Sequence, residues 1–167
     1  MLKKRIIPIM QLIDDKLVKT KQFDTWRAVG DPIKSASVYN SQYTDELVLL
    51  NINRKNRSIE QLARLIPEIA KVSFMPLSVG GGIRSFSDAA YLINQGADKV
   101  IINSSAYKNP DLINQIASEF GQQAIIISID IKIDENGGYR LYSQCGKKQE
   151  ESSLASHIAQ CQASGAG

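Results

Sequence analysis

Five apolar runs recur along the chain, each followed by a segment with helical periodicity. Arg5 to Met10, Glu46 to Ile52, Met75 to Val79, Lys99 to Asn103 and Ala124 to Asp130 read as strands. The first reads as buried. The second, Glu46-Leu47-Val48-Leu49-Leu50-Asn51-Ile52, shows no polar alternation in its middle, as expected of a parallel strand covered on both faces. Right-handed βα repetition of this kind leads to a doubly wound sheet or to a (β/α)8 barrel.

The helix boundaries are written locally. Asp31-Pro32 supplies an N-cap and a first-turn proline ahead of Ile33, Ala36 and Val38. Ser58-Ile59-Glu60-Gln61 fits a capping box before Leu62, Leu65, Ile66 and Ile69, with Pro67 inside that helix as a source of a kink. Ser85 caps a helix carrying Ala89, Leu92 and Ile93 that stops at Gly96. Asn109-Pro110-Asp111 opens another, with Leu112, Ile113, Ile116 and Phe120 inward and Gly121 as its stop. Lys132 to Tyr142 reads as a β-hairpin around Asn136-Gly137-Gly138. Ser152 or Ser153 caps a last helix with Leu154, Ile158 and Cys161, ending at Gly165. Long excursions follow the first strand (Gln11 to Gly30) and the fifth, the side on which a barrel carries its chemistry.

The chemistry suggested by the pattern is anion binding. Val79-Gly80-Gly81-Gly82-Ile83-Arg84 lies between a strand and a helix, where glycine backbone can approach a phosphate closely. A tight βα turn explains the same glycines without a ligand. Asn103-Ser104-Ser105 ends the next strand and Asp130 the one after, so three consecutive strands finish in groups suited to a phosphorylated ligand. The net charge of +3 gives no reason to expect nucleic acid. No apolar stretch is long enough to span a bilayer, and the apolar run at the start is too short for a signal peptide, so a cytoplasmic protein is expected. Cys145 and Cys161 lack metal spacing and read as free thiols, and His157 as a half-buried structural residue. Nothing calls for a cofactor or a metal.

Lys4-Arg5-Ile6-Ile7-Pro8, Gly30-Asp31-Pro32, Asp45-Glu46-Leu47, Val79 to Ser85, Gly96 to Val100, Ile102-Asn103-Ser104 and Ser128-Ile129-Asp130 together resemble the cyclase subunit of imidazole glycerol phosphate synthase. The resemblance runs nearly collinearly from Met1 to Gly167. It implies a (β/α)8 TIM barrel, a fold of about 250 residues. Residues 1–167 would then be a single barrel domain that is C-terminally truncated relative to the family. It would hold the first five βα units, with a β-hairpin insert after strand five. The implied activity joins ammonia from a partner glutaminase to a phosphorylated ribulosyl-imidazole precursor, then cyclises and cleaves it in histidine biosynthesis.

The resemblance also implies residue roles. Asp130 matches one of two aspartates that act as general acid and base. The other falls on Gln11, which can orient substrate or water but cannot exchange a proton near neutral pH. Lys19 matches the lysine of a loop that closes over substrate, although Lys16, Lys19 and Lys21 also fit a solvated basic hairpin. Gly81, Gly82, Asn103 and Ser104 would hold one phosphate. Arg5, Glu46 and Lys99 match a charged gate for ammonia at the opposite end, with ordinary pairing at strand starts as the simpler account. Asp98 would face the partner.

Two departures redirect the reading. Gln11 and Asn51 stand where the family carries aspartates, which points to a paralogous branch serving amidation of acetamido sugars in surface polysaccharide synthesis. The histidine enzyme and a non-catalytic scaffold for the glutaminase are the alternatives. A five-stranded sheet would also expose two edges and an apolar inner face, so self-association is expected. The chain holds no nucleophilic cysteine constellation, so ammonia must come from a partner.

Overall fold

The computed structural model describes residues 4–55 and 58–167. Five parallel strands, β1 (Ile9–Ile13), β4 (Leu47–Asn51), β5 (Leu77–Gly80), β6 (Lys99–Ile102) and β7 (Ile125–Ile127), pair side by side. An antiparallel hairpin of β2 (Lys16–Lys21) and β3 (Thr25–Gly30) extends the sheet from β1. The whole seven-stranded order is β3-β2-β1-β4-β5-β6-β7. A second, antiparallel sheet contains β8 (Asp130–Ile133), β9 (Tyr139–Ser143) and β10 (Lys148–Gln149).

The helices are α1 (Pro32–Ser41), α2 (Glu60–Ala70), α3 (Phe86–Asn94), the short α4 (Ser104–Lys108), α5 (Asp111–Phe120) and α6 (Leu154–Ala163). Neighbouring helices follow the order of the strands: α1 packs on α2, α2 on α3, and α3 on α5. A doubly wound sheet reverses its strand order at a switch point. The parallel strands here advance without reversal, which removes that alternative and is consistent with a (β/α)8-type barrel. Among the described residues, no helix is long and apolar enough to cross a membrane.

The two faces of the parallel sheet differ. Met10, Leu12, Leu47, Leu49, Val79, Val100 and Ile102 point toward the helices and share one core with Leu62, Ile66, Leu92, Leu112 and Ile116. Each such side chain, when fully buried, contributes about 2 kcal/mol. The opposite face carries Ile9, Val48, Leu50, Ile101 and Ile126, interrupted by Gln11, Ser78 and Gly80, so it is largely apolar with small and polar breaks.

Several local expectations shift. The first strand starts at Ile9, because the stretch before it gains only isolated bonds such as Val48 N to Pro8 O. Ile6, Ile7 and Ile9 are exposed rather than buried, Ile9 lying on the face away from the helices. Gln11 therefore lies within a strand rather than after it. Asp130 opens β8 instead of closing the fifth strand, which ends at Ile127. The Ser58 capping box does not form: α2 starts at Glu60 with Ile59 at its N-cap, and Ser58 Oγ accepts from the Glu60 amide. Ser85 does close a capping box with Asp88, and Asp31 accepts from the Lys34 amide. Val38 is exposed, and His157 is fully buried rather than half-buried. The excursion from Gln11 to Gly30 is an ordered hairpin. It covers β1, so β3 rather than the first strand forms that edge of the sheet.

Candidate functional site

The glycine turn is dictated by close packing. Gly81 has φ +95°, and a Cβ added there would lie 1.9 Å from the Asn51 carbonyl oxygen. The end of β5 thus rests on the end of β4 with no space for a side chain. Beyond these ends opens a cleft of about 600 Å³. Gly81, Gly82, Asn103, Ser104 and Asp130 all line it. Five residues that the sequence placed at three separate strand ends therefore share one concavity.

Hydrogen bonds fix its wall. Ser105 Oγ donates to the Ile83 carbonyl at 2.6 Å, tying α4 to the glycine turn. Ser104 Oγ accepts from the Gln144 amide at 3.0 Å, which leaves its own proton to donate. Asn103 Oδ1 is buried with no partner among the described residues. At the start of α3, the amides of Arg84 and Ser85 already donate to Asp88 Oδ2, at 2.8 and 3.0 Å.

Burial pushes the Asp130 carboxyl above its ordinary value, while the Gly146 amide and the Asn103 side chain draw it back toward ionisation. Behind the cleft, Tyr107 stacks on His157 with ring centroids 4.0 Å apart. Burial first, then Glu150 and Asp130, raise the Tyr107 phenol to about 12. Burial lowers His157 and raises the Cys161 thiol, whose sulfur lies 3.7 Å from His157 Nε2. This trio is an uncharged buried packing unit at neutral pH.

The other residues singled out by sequence lie elsewhere. Gln11 does not line the cleft; its Oε1 accepts from the Thr20 hydroxyl at 2.7 Å. Lys19 is exposed on the first hairpin opposite Arg27. At the start of the parallel strands, buried Glu46 accepts from Arg5 and from Lys99 Nζ, the latter at 3.0 Å, so these three do meet. Asp98 stands at the same rim and accepts from the Leu77 amide at 2.7 Å. Asn51 is the exception: it lines the cleft, and it also binds the loop after its own strand, accepting from the Asn53 amide and donating to the Ser58 carbonyl.

Sequence reasoning missed Arg54, Lys55, Lys108, Gln144 and Cys145, which also line the cleft. Arg54 and Lys55 follow the second strand by three and four residues. The strand-end argument applied to the third, fourth and fifth strands would have found them. Gln144 and Cys145 come from the turn after β9, and no local signal places that turn at the cleft.

Fold and cleft together define a singly wound α/β protein with its polar site at the carboxyl ends of parallel strands. A family model described as "Histidine biosynthesis protein" matches residues 5–167, and the chain belongs to that family. It is 42% identical over 168 residues to the imidazole glycerol phosphate synthase subunit HisF of Staphylococcus saprophyticus, covering all of this chain and 67% of that protein. The HisF subunit of Staphylococcus carnosus is 40% identical, with 66% of its length covered. A putative subunit hisF2 of Prochlorococcus marinus is 39% identical, with 67% covered. The chain thus spans about two thirds of the length of these relatives, and its alternating strands and helices are consistent with part of a (β/α)8-type barrel.

Proposed function

We propose that this chain is the ammonia-accepting, cyclase-type subunit of an amidotransferase pair, with residues 1–167 forming the first five βα units of its barrel. A separate glutaminase delivers ammonia at the rim carrying Arg5, Glu46, Lys99 and Asp98. A phosphorylated substrate sits in the cleft at the opposite rim. The observation that carries this reading is the convergence of Gly81, Gly82, Asn103, Ser104 and Asp130 on one cleft. The Arg84 and Ser85 amides just before α3 are spent on Asp88, so a phosphate there is met by the glycine turn, by the Ser104 hydroxyl and by the Asn103 amide. Asp130, held above its ordinary pKa by burial, is the group suited to exchange a proton with the substrate. Lys19 would have to approach by movement of the first hairpin.

Gln11 and Asn51 favour the acetamido-sugar branch within this reading. Two amides where the resemblance expects carboxylates leave Asp130 without an acid-base partner, and Gln11 is engaged with Thr20. The discriminating experiment measures ammonium-dependent turnover of the phosphorylated ribulosyl-imidazole precursor beside that of an acetamido sugar. Turnover of the sugar alone supports the branch. Turnover of the precursor assigns the histidine reaction. Turnover of neither, with a glutaminase bound and activated, leaves a scaffold.

A further inference from the structure

Three turns crowd the loop that follows β4, and each contains two consecutive non-glycine residues in the left-handed region. These are Asp14 and Asp15 between β1 and β2, Gln22 and Phe23 between β2 and β3, and Gln144 and Cys145 after β9. Such turns persist only where their surroundings hold them. Two adjacent residues of the β4–α2 loop do so. Asn53 Nδ2 donates to Asp14 Oδ1 at 2.6 Å. Arg54 donates from one terminal nitrogen to Asp24 Oδ1 at 3.0 Å and from the other to the Cys145 carbonyl at 3.2 Å.

We propose that Arg54 is a positioning residue that ties two hairpin turns together across the mouth of the cleft, so that phosphate affinity depends on both of its contacts. Phe23 from one turn, Gln144 and Cys145 from the other, and Arg54 itself all line the cleft. The Gln144 amide is also the donor to Ser104 Oγ, so displacing that turn alters a phosphate ligand directly. A planar guanidinium can hold two acceptors in fixed directions, whereas an ammonium is a single point. Asp24 is mostly exposed and the Arg54 Nε is buried without a partner among the described residues. The guanidinium is therefore only partly compensated until an anion enters the cleft. The clasp rests on the proposed function only for the identity of that anion.

The test titrates the full chain with inorganic phosphate and follows amide hydrogen exchange of residues 22–24 and 144–146, in the wild type and in R54A, R54K and D24N. R54A and R54K are expected to weaken phosphate about tenfold and to speed exchange at both turns, a coupling of ordinary size. D24N is expected to free the first turn alone and to weaken phosphate. Electrostatics alone predicts the reverse for D24N, since it removes a negative charge from near the site. The clasp is overturned if R54K binds phosphate as tightly as the wild type, if D24N tightens binding, or if R54A leaves exchange at either turn unchanged. A wild type that binds no phosphate would sink the phosphate site, while the exchange measurements would still decide the clasp.

Discussion

The two rims of the parallel sheet handle polarity in opposite ways. At the strand starts, the buried Glu46 carboxylate is neutralised by Arg5 and Lys99. At the strand ends, Asn103 Oδ1 and Arg54 Nε are buried without partners among the described residues, and Asp130 is held above its ordinary pKa. A satisfied charge cluster stabilises a fold or forms a barrier, whereas polar groups that lack partners and also line a cleft are placed to meet a ligand. Under the proposed function, this contrast goes with ligand binding in the cleft and a structural or gating role at the opposite rim.

The largest effect expected from breaking this contrast is at Asp130. Asp130→Asn should lower ammonium-dependent turnover by about 10²–10⁴-fold, the usual contribution of a general acid-base group. Its stability should be unchanged or slightly higher. Burial raises this carboxyl's pKa in the fold, so its ionised form costs stability at neutral pH, and that cost disappears as pH falls through the raised value. Loss of stability on this substitution, read by urea unfolding, would make Asp130 a structural cap instead.

Gly81→Ala comes next. The added Cβ would meet the Asn51 backbone at a positive φ, and a loss of about 3 kcal/mol or more is expected in urea unfolding. A variant as stable as the wild type would show that the turn can open. Glu46→Gln should cost less, about 1–2 kcal/mol, because Arg5 and Lys99 retain water contact that a fully buried pair would lack. Phosphate titration should find its affinity unchanged. An altered affinity would mean that the two rims are coupled.

The smallest effect concerns the packing behind the cleft. Burial depresses His157 below its ordinary 6.5, so its neutral form stabilises the fold above that value. Stability should fall as pH drops through about 6.5 and below. His157→Phe, which keeps a stacking partner for Tyr107, should flatten that dependence in urea midpoints at pH 5 and 7.5. An unchanged slope would place the titrating group elsewhere.

Much of the site was legible because its signals are local. Gly81 and Gly82 follow one strand, Asn103 and Ser104 the next, and parallel strands in register bring such ends together. Asp130 was legible for the same reason, although it begins the insert rather than ending a strand. Gln11 was legible as a chemical anomaly but not as a position. Its neighbour Thr20 arrives only when the hairpin folds back on β1. Ser58 misled because a capping motif one residue early has the same composition as one in place.

By itself, the sequence determined the alternation of strands and helices, the caps at Asp31 and Ser85, and the glycine turn. Each depends on residues within a few positions of one another, where periodicity and backbone conformation act directly. Only the tertiary structure decided that the sheet winds in a single direction, that the hairpin of β2 and β3 covers β1, and that Arg54 spans two turns. The Arg54 contacts join residues 30 and 91 positions apart. Contacts of that kind arise from how the packed sheet arranges its loops in space, which no local pattern encodes.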